Sequence, residues 1–517
     1  MRLLSMIMAI GLSGMTLSGC DNKDAEPTTA DGHSDEADAD TDTDADTDAD
    51  TDVDTDSDSD ADTDSDTEDT GEPDDTAEPD DCDDVNPVQL FLSPDDSNSM
   101  SSPVQARVAI EAGWSNPSSI PLRSWEFMNY YSFDYDPPRV NDVALTLELI
   151  PDPDSVTDDT WLLQIAVKSP DLTMADRRPM NLTFVVDTSG SMGGGPLDLG
   201  RDVLKAIAGE LKNGDVVSMV QWSDDQGILL SNHEIDGADN EILIDAIDGL
   251  TSGGGTDLSA GLTTGYKLAA ANYSAERVNR IVLISDGGAN LCNTDVNLIA
   301  DYAGGQDADG IYMVGVGVGG SSGLYNDDLM DQVTDIGKGA ALFIDSTEEA
   351  EKMFGDRFLS TMDVWVRDVS VILDLPPGFE IVKFSGEEYS TDPSEIEPQH
   401  LAPNDAMVFY QSIQTCAPES VTDDTEITVA VTYKDGTTFE SGSRSLTASF
   451  GELTATTPVL LYKGAAIYGY AEGLRELRTT ADSAATIEGM MRWVQRAEQY
   501  NPDDADLIEI RGLIESL

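Results

Sequence analysis

Between Asn181 and about Ser360 the chain repeats one pattern that few folds can satisfy. Short apolar runs at 182–186, 216–222, 281–284 and 311–318 alternate with stretches of helical periodicity at 197–212, 239–249, 258–272, 295–303 and 325–336. The runs are apolar at consecutive rather than alternate positions, so strands formed from them must be covered on both faces. Helices between the strands supply that cover. The pattern predicts a doubly wound α/β domain with a mostly parallel sheet over residues 179–360.

The flanks obey a different rule. Runs at 144–150 and 161–167 are strand-like with alternating apolar residues, and those at 364–373, 379–384, 407–412, 427–433 and 445–450 are strand candidates with turn signals between them. Half-buried strands show that period. Together they predict an antiparallel β-sandwich built from part of 86–178 and from the β-rich stretch 361–456. The segment 86–178 also holds a helical stretch at 104–112. An aromatic cluster follows it: Trp125, Phe127, Tyr130, Tyr131, Phe133 and Tyr135. So many aromatics in one stretch indicate packing. From residue 457 to 517 the periodicity is helical.

The 517 residues carry 27 Lys+Arg against 101 Asp+Glu, a formal net charge of −74. Such a surface repels nucleic acid and anionic headgroups and favours cations. Residues 21–85 alternate Asp with Thr, Ala and Ser and contain almost nothing to bury. A self-repelling, disordered linker is expected there. Calcium loops need a turn-making Gly and a closing Glu at fixed offsets, and the run has neither. Ahead of it, Arg2 and the apolar stretch from Leu3 to Leu17 form a secretion signal over residues 1–20, too short to span a bilayer comfortably. It ends in Leu17-Ser18-Gly19-Cys20, which resembles the bacterial lipobox. That resemblance implies lipidation of Cys20 and places the protein in the cell envelope, anchored to a membrane by acyl chains, with the outer membrane or cell surface favoured over the inner membrane. Of the three other cysteines, Cys82 and Cys416 are expected to pair and Cys292 to stay free.

The chemistry gathers where the apolar runs end. The first leads into Asp187-Thr188-Ser189-Gly190-Ser191, an Asp-x-Ser-x-Ser sequence at the carboxyl end of a strand, where open α/β sheets bind ligands. Further on, Ser252-Gly253-Gly254-Gly255-Thr256-Asp257 opens a helix, and its glycines permit close backbone approach. The third run ends in Ser285-Asp286-Gly287-Gly288. Asp187, Ser189, Ser191, Thr256 and Asp286 are thereby expected on one face. Carboxylate and hydroxyl oxygens suit a hard cation such as Mg²⁺, which takes octahedral oxygen ligands and keeps several waters. Hydroxyl-rich ligation leaves much of its charge unneutralised, so a partner's Asp or Glu can complete the shell.

Three such loops in this order resemble the metal-ion-dependent adhesion site of the von Willebrand factor type A (VWA) family, over roughly residues 181–360. The resemblance implies Mg²⁺ at the site, or Mn²⁺ or Ca²⁺, and a protein ligand presenting an acidic side chain. Ser97-Asn98-Ser99 and the stretch from Trp125 to Tyr135 resemble the N-terminal region of bacterial VWA lipoproteins labelled calcium-activated-chloride-channel-like. Trp125-Glu126 and Tyr131 depart from that group's usual text. Nothing in the sequence is suited to line a pore.

Enzyme signatures are missing. Ser189 interrupts the Asp-Thr-Gly of an aspartic protease, and no second such loop follows. A serine hydrolase needs a Gly-x-Ser-x-Gly elbow and a histidine, and the chain has only His33, His233 and His400. The glycine-rich stretch from Gly315 to Gly320 lacks the Lys-Ser/Thr of a phosphate-binding loop. The reading is therefore a non-enzymatic envelope lipoprotein that binds a protein through a metal. An assembly or scaffold subunit with a structural metal is the alternative, and a hydrolase a more distant one.

Overall fold

The computed structural model describes residues 82–83, 85–94, 98–114, 120–139, 142–288, 297–301, 310–319, 325 and 327–517. The signal, Cys20, the acidic linker and Cys292 lie outside these residues.

The central domain is a six-stranded sheet in the order β6-β5-β4-β7-β8-β9. Its strands are β4 (Met180–Asp187), β5 (Val216–Trp222), β6 (Gln226–Glu234), β7 (Val278–Ser285), β8 (Tyr312–Val318) and β9 (Ala341–Ile344). All neighbours are parallel except β6, which runs antiparallel to β5 at the edge. Every residue of β4, β7, β8 and β9 is buried. Successive residues serve opposite faces. Phe184, Val186, Val282 and Ile284 pack with Leu197, Val203 and Ile207 of helix α3 (Gly195–Glu210). Val185, Ile281 and Leu283 pack with Leu258, Leu262 and Tyr266 of helix α5 (Leu258–Ala271) and with Leu329, Met330 and Val333 of the helix Asp327–Gly337. Helix α5 rides close to the sheet because it carries glycines at the contact. A Cβ on Gly265 would overlap the Val185 side chain, and one on Gly261 would lie 2.6 Å from Trp222 Cδ1.

A β-sandwich flanks this domain. One sheet runs β12-β1-β10-β15-β16, with β13 also on β10, and the other runs β11-β14-β3-β2. The strands of the first are β1 (Val88–Ser93), β10 (Val366–Leu375), β12 (Glu388–Ser390), β13 (Gln399–Leu401), β15 (Glu426–Asp435) and β16 (Ser441–Ser449). Those of the second are β2 (Ala144–Pro151), β3 (Thr160–Lys168), β11 (Phe379–Phe384) and β14 (Ala406–Thr415). Strands from both sides of the central domain therefore share one core, which includes Leu149, Leu163, Ile165, Leu373, Phe409 and Val429. Cys82 is joined to Cys416 by a disulfide across 334 residues of sequence. A bridge closing so long a loop stabilises a fold by about 2–5 kcal/mol.

Three C-terminal helices, Val459–Glu476, Ser483–Glu498 and Ala505–Glu515, share a core with the α3 side of the sheet and with the aromatic cluster. There Phe127 meets Tyr470 edge-on at 5.6 Å. The cluster forms the short helix Ser124–Tyr130 and the chain after it, and its role is packing. Among the described residues no helix is long and apolar enough to cross a membrane.

His400 of β13 stacks on Tyr312 with ring centroids 4.8 Å apart, and neither ring nitrogen has a hydrogen-bond partner among the described residues. Burial, with help from the nearby Arg367 and Arg280, pulls its pKa down to about 3. The unfolded chain thus takes up a proton near the ordinary histidine value that the folded chain refuses. Stability from this residue is present above that value and is lost as pH falls from about 6.5 towards 3, at up to about 1.4 kcal/mol per pH unit. Urea unfolding at pH 7 and pH 4.5 is expected to show a smaller acid loss in His400→Phe, which keeps the ring on Tyr312, than in the wild type.

Candidate metal centre

β4 delivers Asp187 to the carboxyl edge of the sheet with no solvent exposure. Its carboxylate accepts from the Ser189 backbone N–H at 2.8 Å and from Ser285 Oγ at 2.7 Å. Burial pushes its pKa up; these hydrogen bonds oppose the shift and the charge of Asp286 adds to it. After Asp187 the chain makes a single 3-10 turn, Gly190–Met192, which sets the Ser189 and Ser191 hydroxyls 3.0 Å apart.

The glycine-rich loop is tied to that turn by its backbone. Gly253 N–H donates to Thr188 O at 2.8 Å, and Gly190 N–H donates to Gly254 O at 3.2 Å. Gly254 holds a φ of +86°, a conformation that favours glycine. Thr256 follows in the same loop and is exposed, and Asp257 caps helix α5 by accepting from Ala260 N–H at 3.0 Å.

The third loop leaves β7, which pairs with β4. Asp286 is 3% exposed; its Oδ1 accepts from Gly288 N–H at 3.0 Å, while its buried Oδ2 has no hydrogen-bond partner among the described residues. A Cβ added to Gly288 would lie 3.0 Å from Asp286 Oδ1 and 3.2 Å from Ser191 Oγ. These two oxygens border one small space that a side chain would fill.

The structure thus brings Asp187, Ser189 and Ser191 into one hydrogen-bonded group, with Asp286 beside Ser191. Thr256 joins through the backbone of its loop. Two participants escaped the sequence reading. Ser285 supplies a hydrogen bond to Asp187, and its one signal was a hydroxyl closing an otherwise apolar strand. Asp224 lies in the turn between β5 and β6, where its carboxylate would stand 2.6 Å from a Cβ on Gly254. It is distant in sequence from the motif and looks like an ordinary turn residue.

The charge arrangement is unusual for a buried site. Among the described residues neither Asp187 nor Asp286 has an ion-pair partner. Two buried carboxylates served only by neutral donors are costly unless a cation joins them. Nor do three His, Cys, Asp or Glu side chains cluster closely enough among the described residues to hold a metal by themselves. A metal here would have to use the serine hydroxyls and water, which suits a hard cation of the Mg²⁺ class. The unpartnered Asp286 Oδ2, the paired hydroxyls and the space beside Gly288 fit such an ion.

Ser285→Ala is expected to lower the unfolding free energy of metal-free protein by about 1–3 kcal/mol, because Asp187 Oδ2 would stay buried without its donor. Chemical denaturation in chelator measures this; an unchanged midpoint would mean that water reaches the carboxylate freely.

Residues 181–356 match the family model described as the von Willebrand factor type A domain. The chain is 28% identical over 267 residues to the uncharacterized protein YfbK of Escherichia coli (strain K12), covering 50% of this chain and 45% of the relative. It is 27% identical over 216 residues to the uncharacterized protein sll0103 of Synechocystis sp., covering 42% of this chain and 49% of the relative. The chain therefore spans about half the length of the curated relatives it matches. Among solved structures it is similar to a von Willebrand factor type A protein from Catenulispora acidiphila, with a TM-score of 0.43 at 14% identity over 72% of this chain and 89% of that one. It is also similar to the ArnB paralog VWA2 from Sulfolobus acidocaldarius, with a TM-score of 0.38 at 16% identity over 72% of this chain and 96% of that one. With its doubly wound sheet and its match to the family model, the segment 181–356 of this chain is a VWA domain.

Proposed function

We propose that this protein is a non-enzymatic binding module that grips a protein partner through one divalent cation, held by Asp187, Ser189, Ser191 and Asp286 with help from Thr256. The observation that carries the reading is the pair of buried carboxylates that no side-chain cation neutralises among the described residues. Mg²⁺, or Mn²⁺ or Ca²⁺ in its place, would supply the missing positive charge. Two hydroxyls and two carboxylates leave an octahedral ion coordination positions for water, and one of these can pass to an Asp or Glu of the partner. The same reading places the chain in the cell envelope, anchored by acyl chains on Cys20, with residues 21–85 as a spacer. Its support there is the signal sequence ending in Cys20.

Calorimetry of the full chain is expected to show one strong Mg²⁺ site that Asp187→Ala removes. Gly288→Ala sets a methyl between the Ser191 and Asp286 oxygens and is expected to weaken Mg²⁺ at least tenfold, about 1.4 kcal/mol, without unfolding the domain. Full Mg²⁺ binding in both variants would place the metal elsewhere on this acidic chain.

Partner capture tests the adhesive part. Thr256 is exposed, so Thr256→Ala is expected to change stability by no more than about 0.5 kcal/mol. Leaving a partner carboxylate buried without its counter-charge costs about 2–5 kcal/mol at an interface. Crosslinking on intact cells is therefore expected to lose its products in Thr256→Ala and in chelator-treated wild type, and to regain the latter with Mg²⁺. Products that survive both treatments would favour the scaffold reading, in which the metal is structural and contact lies on the flanking sandwich.

A further inference from the structure

Cations are scarce in this chain, with 27 Lys+Arg against 101 Asp+Glu, yet several meet at one place far from the metal centre. The strands β7 and β8 start there, at Val278–Arg280 and Tyr312, opposite the edge that carries Asp187 and Asp286. A cleft of about 30 Å³ opens between these strand starts and the sandwich, with Arg178, Arg277, Arg280 and Arg367 in its lining beside Tyr312 and Phe439. That volume admits one or two oxygens of a group whose remainder stays in solvent at the open mouth.

Four guanidinium groups share this place with two acids, Asp363 and Asp368, and both acids are already paired with cations other than Arg280 and Arg367. Arg178 is paired with Asp363 at 2.7 Å, and nearby Lys434 with Asp368 at 2.8 Å. Arg277, Arg280 and Arg367 have no ion-pair partner among the described residues, and Arg277 is engaged by the carbonyls of Met180 and Gly214. Arg280 is 4% exposed; its Nε donates to Met362 O at 3.1 Å, while its buried Nη1 has no hydrogen-bond partner among the described residues. Arg367 donates from Nη2 to Gly436 O at 3.1 Å, and its buried Nε is also unpartnered there. Both guanidinium carbons lie 5.4 Å from the Tyr312 ring centre, and Arg367 also lies 4.1 Å from that of Phe439. Burial pulls the Arg280 pKa down to about 10 against the opposing charge of Asp363, with Arg367 and Arg178 adding to the fall, so it remains a cation at neutral pH. Buried charge without an ion pair is retained at a cost, and the free N–H groups of the two guanidinium groups suit an oxyanion.

We propose that this cleft binds an oxyanion, a single carboxylate or phosphate group, held by the guanidinium groups of Arg280 and Arg367. Tyr312 and Phe439 form the apolar sides of the slot and hold the forks in place. The chain's overall negative charge repels anions everywhere else, so an anion that binds does so at a built site.

The test titrates full-length protein with inorganic phosphate by calorimetry, in chelator and at constant ionic strength. One saturable site is expected. Arg367→Gln is expected to weaken it at least tenfold. Phe439→Asp is expected to abolish it, because its carboxylate would compete for Arg367 at an exposed position whose φ of +61° Asp tolerates. Melting curves without phosphate show whether each variant is folded, and either folded variant suffices. An acetate competition arm separates the sources: displacement of phosphate by acetate identifies a carboxylate-bearing ligand, and its failure identifies a phosphate. Absence of a saturable site in the wild type, or wild-type affinity in a folded variant, overturns the proposal.

Discussion

β4 decides how the central domain is built. It runs through the middle of the sheet, all eight of its residues are buried, and it ends in a carboxylate. Its alternating side chains join two helical layers, so a change at Phe184 or Val185 reaches a whole face. The two ends of the strand pose the same problem and solve it differently. At the start, the buried Asp215 forms a bidentate pair with Arg177 and also accepts from the backbone N–H groups of Met180 and Lys212. Every strong acceptor there is met by a donor and the charge is matched. At the far end Asp187 meets only neutral donors and Asp286 keeps a bare oxygen. The same fold that matches one buried carboxylate leaves two others open, which is what a site awaiting a cation requires.

The few cations of this acidic chain also hold its parts together. Arg107 of the helix Ser101–Glu111 reaches Asp345 and Glu349 at the edge of the central domain, both at 2.8 Å, and Glu509 of the last helix at 3.3 Å. Arg123 binds the buried Glu126 at 2.9 Å and Asp327 at 2.8 Å, fixing the aromatic segment to the helix Asp327–Gly337. Lys463, 3% exposed, is clasped by Asp504 at 2.7 Å and Asp506 at 2.8 Å. These pairs are shielded from water, where charge counts for more than on the surface. Together with the continuous core they make the VWA domain, the sandwich and the C-terminal helices one body. The candidate metal centre is thereby mounted on a support much larger than its own domain.

The doubly wound sheet was legible because its strands are apolar without interruption, and a buried parallel strand has no other way to look. The Asp187, Thr256 and Asp286 loops were legible because each directly follows or precedes such an element. Edge strands were not. β6 carries Ile228 and Leu229 exposed, so its apolar residues follow neither the strand nor the helix period. β1 is a short apolar stretch that the sequence reading did not take as a strand, and its pairing with β10, nearly three hundred residues away, makes it one. Ser285 and the Arg177–Asp215 pair were hidden for the same reason. A hydroxyl or an ion pair gains its role from a partner that sequence spacing does not reveal.

The two edges of the central sheet differ in sign, and the helices account for part of this. In a parallel α/β domain the helix N-termini gather at the carboxyl edge of the strands and the C-termini at the other. The positive ends of α3 and α5 therefore lie on the side of Asp187 and Asp286, and soften the cost of keeping two carboxylates there. The negative ends lie on the side of Arg177, whose Nη2 donates to the α3 carbonyl of Glu210 at 2.9 Å, and of Arg277, which donates to Gly214 O at 2.7 Å. Each edge thus offers the partial charge that stabilises the side chains found on it. At the carboxyl edge this background is weaker than a full charge, so it permits the carboxylates without neutralising them. A divalent ion would complete that edge, and an oxyanion would complete the other, where arginines exceed their acids. The sheet is in this sense polar along its strands, with a cation expected at one end and an anion at the other.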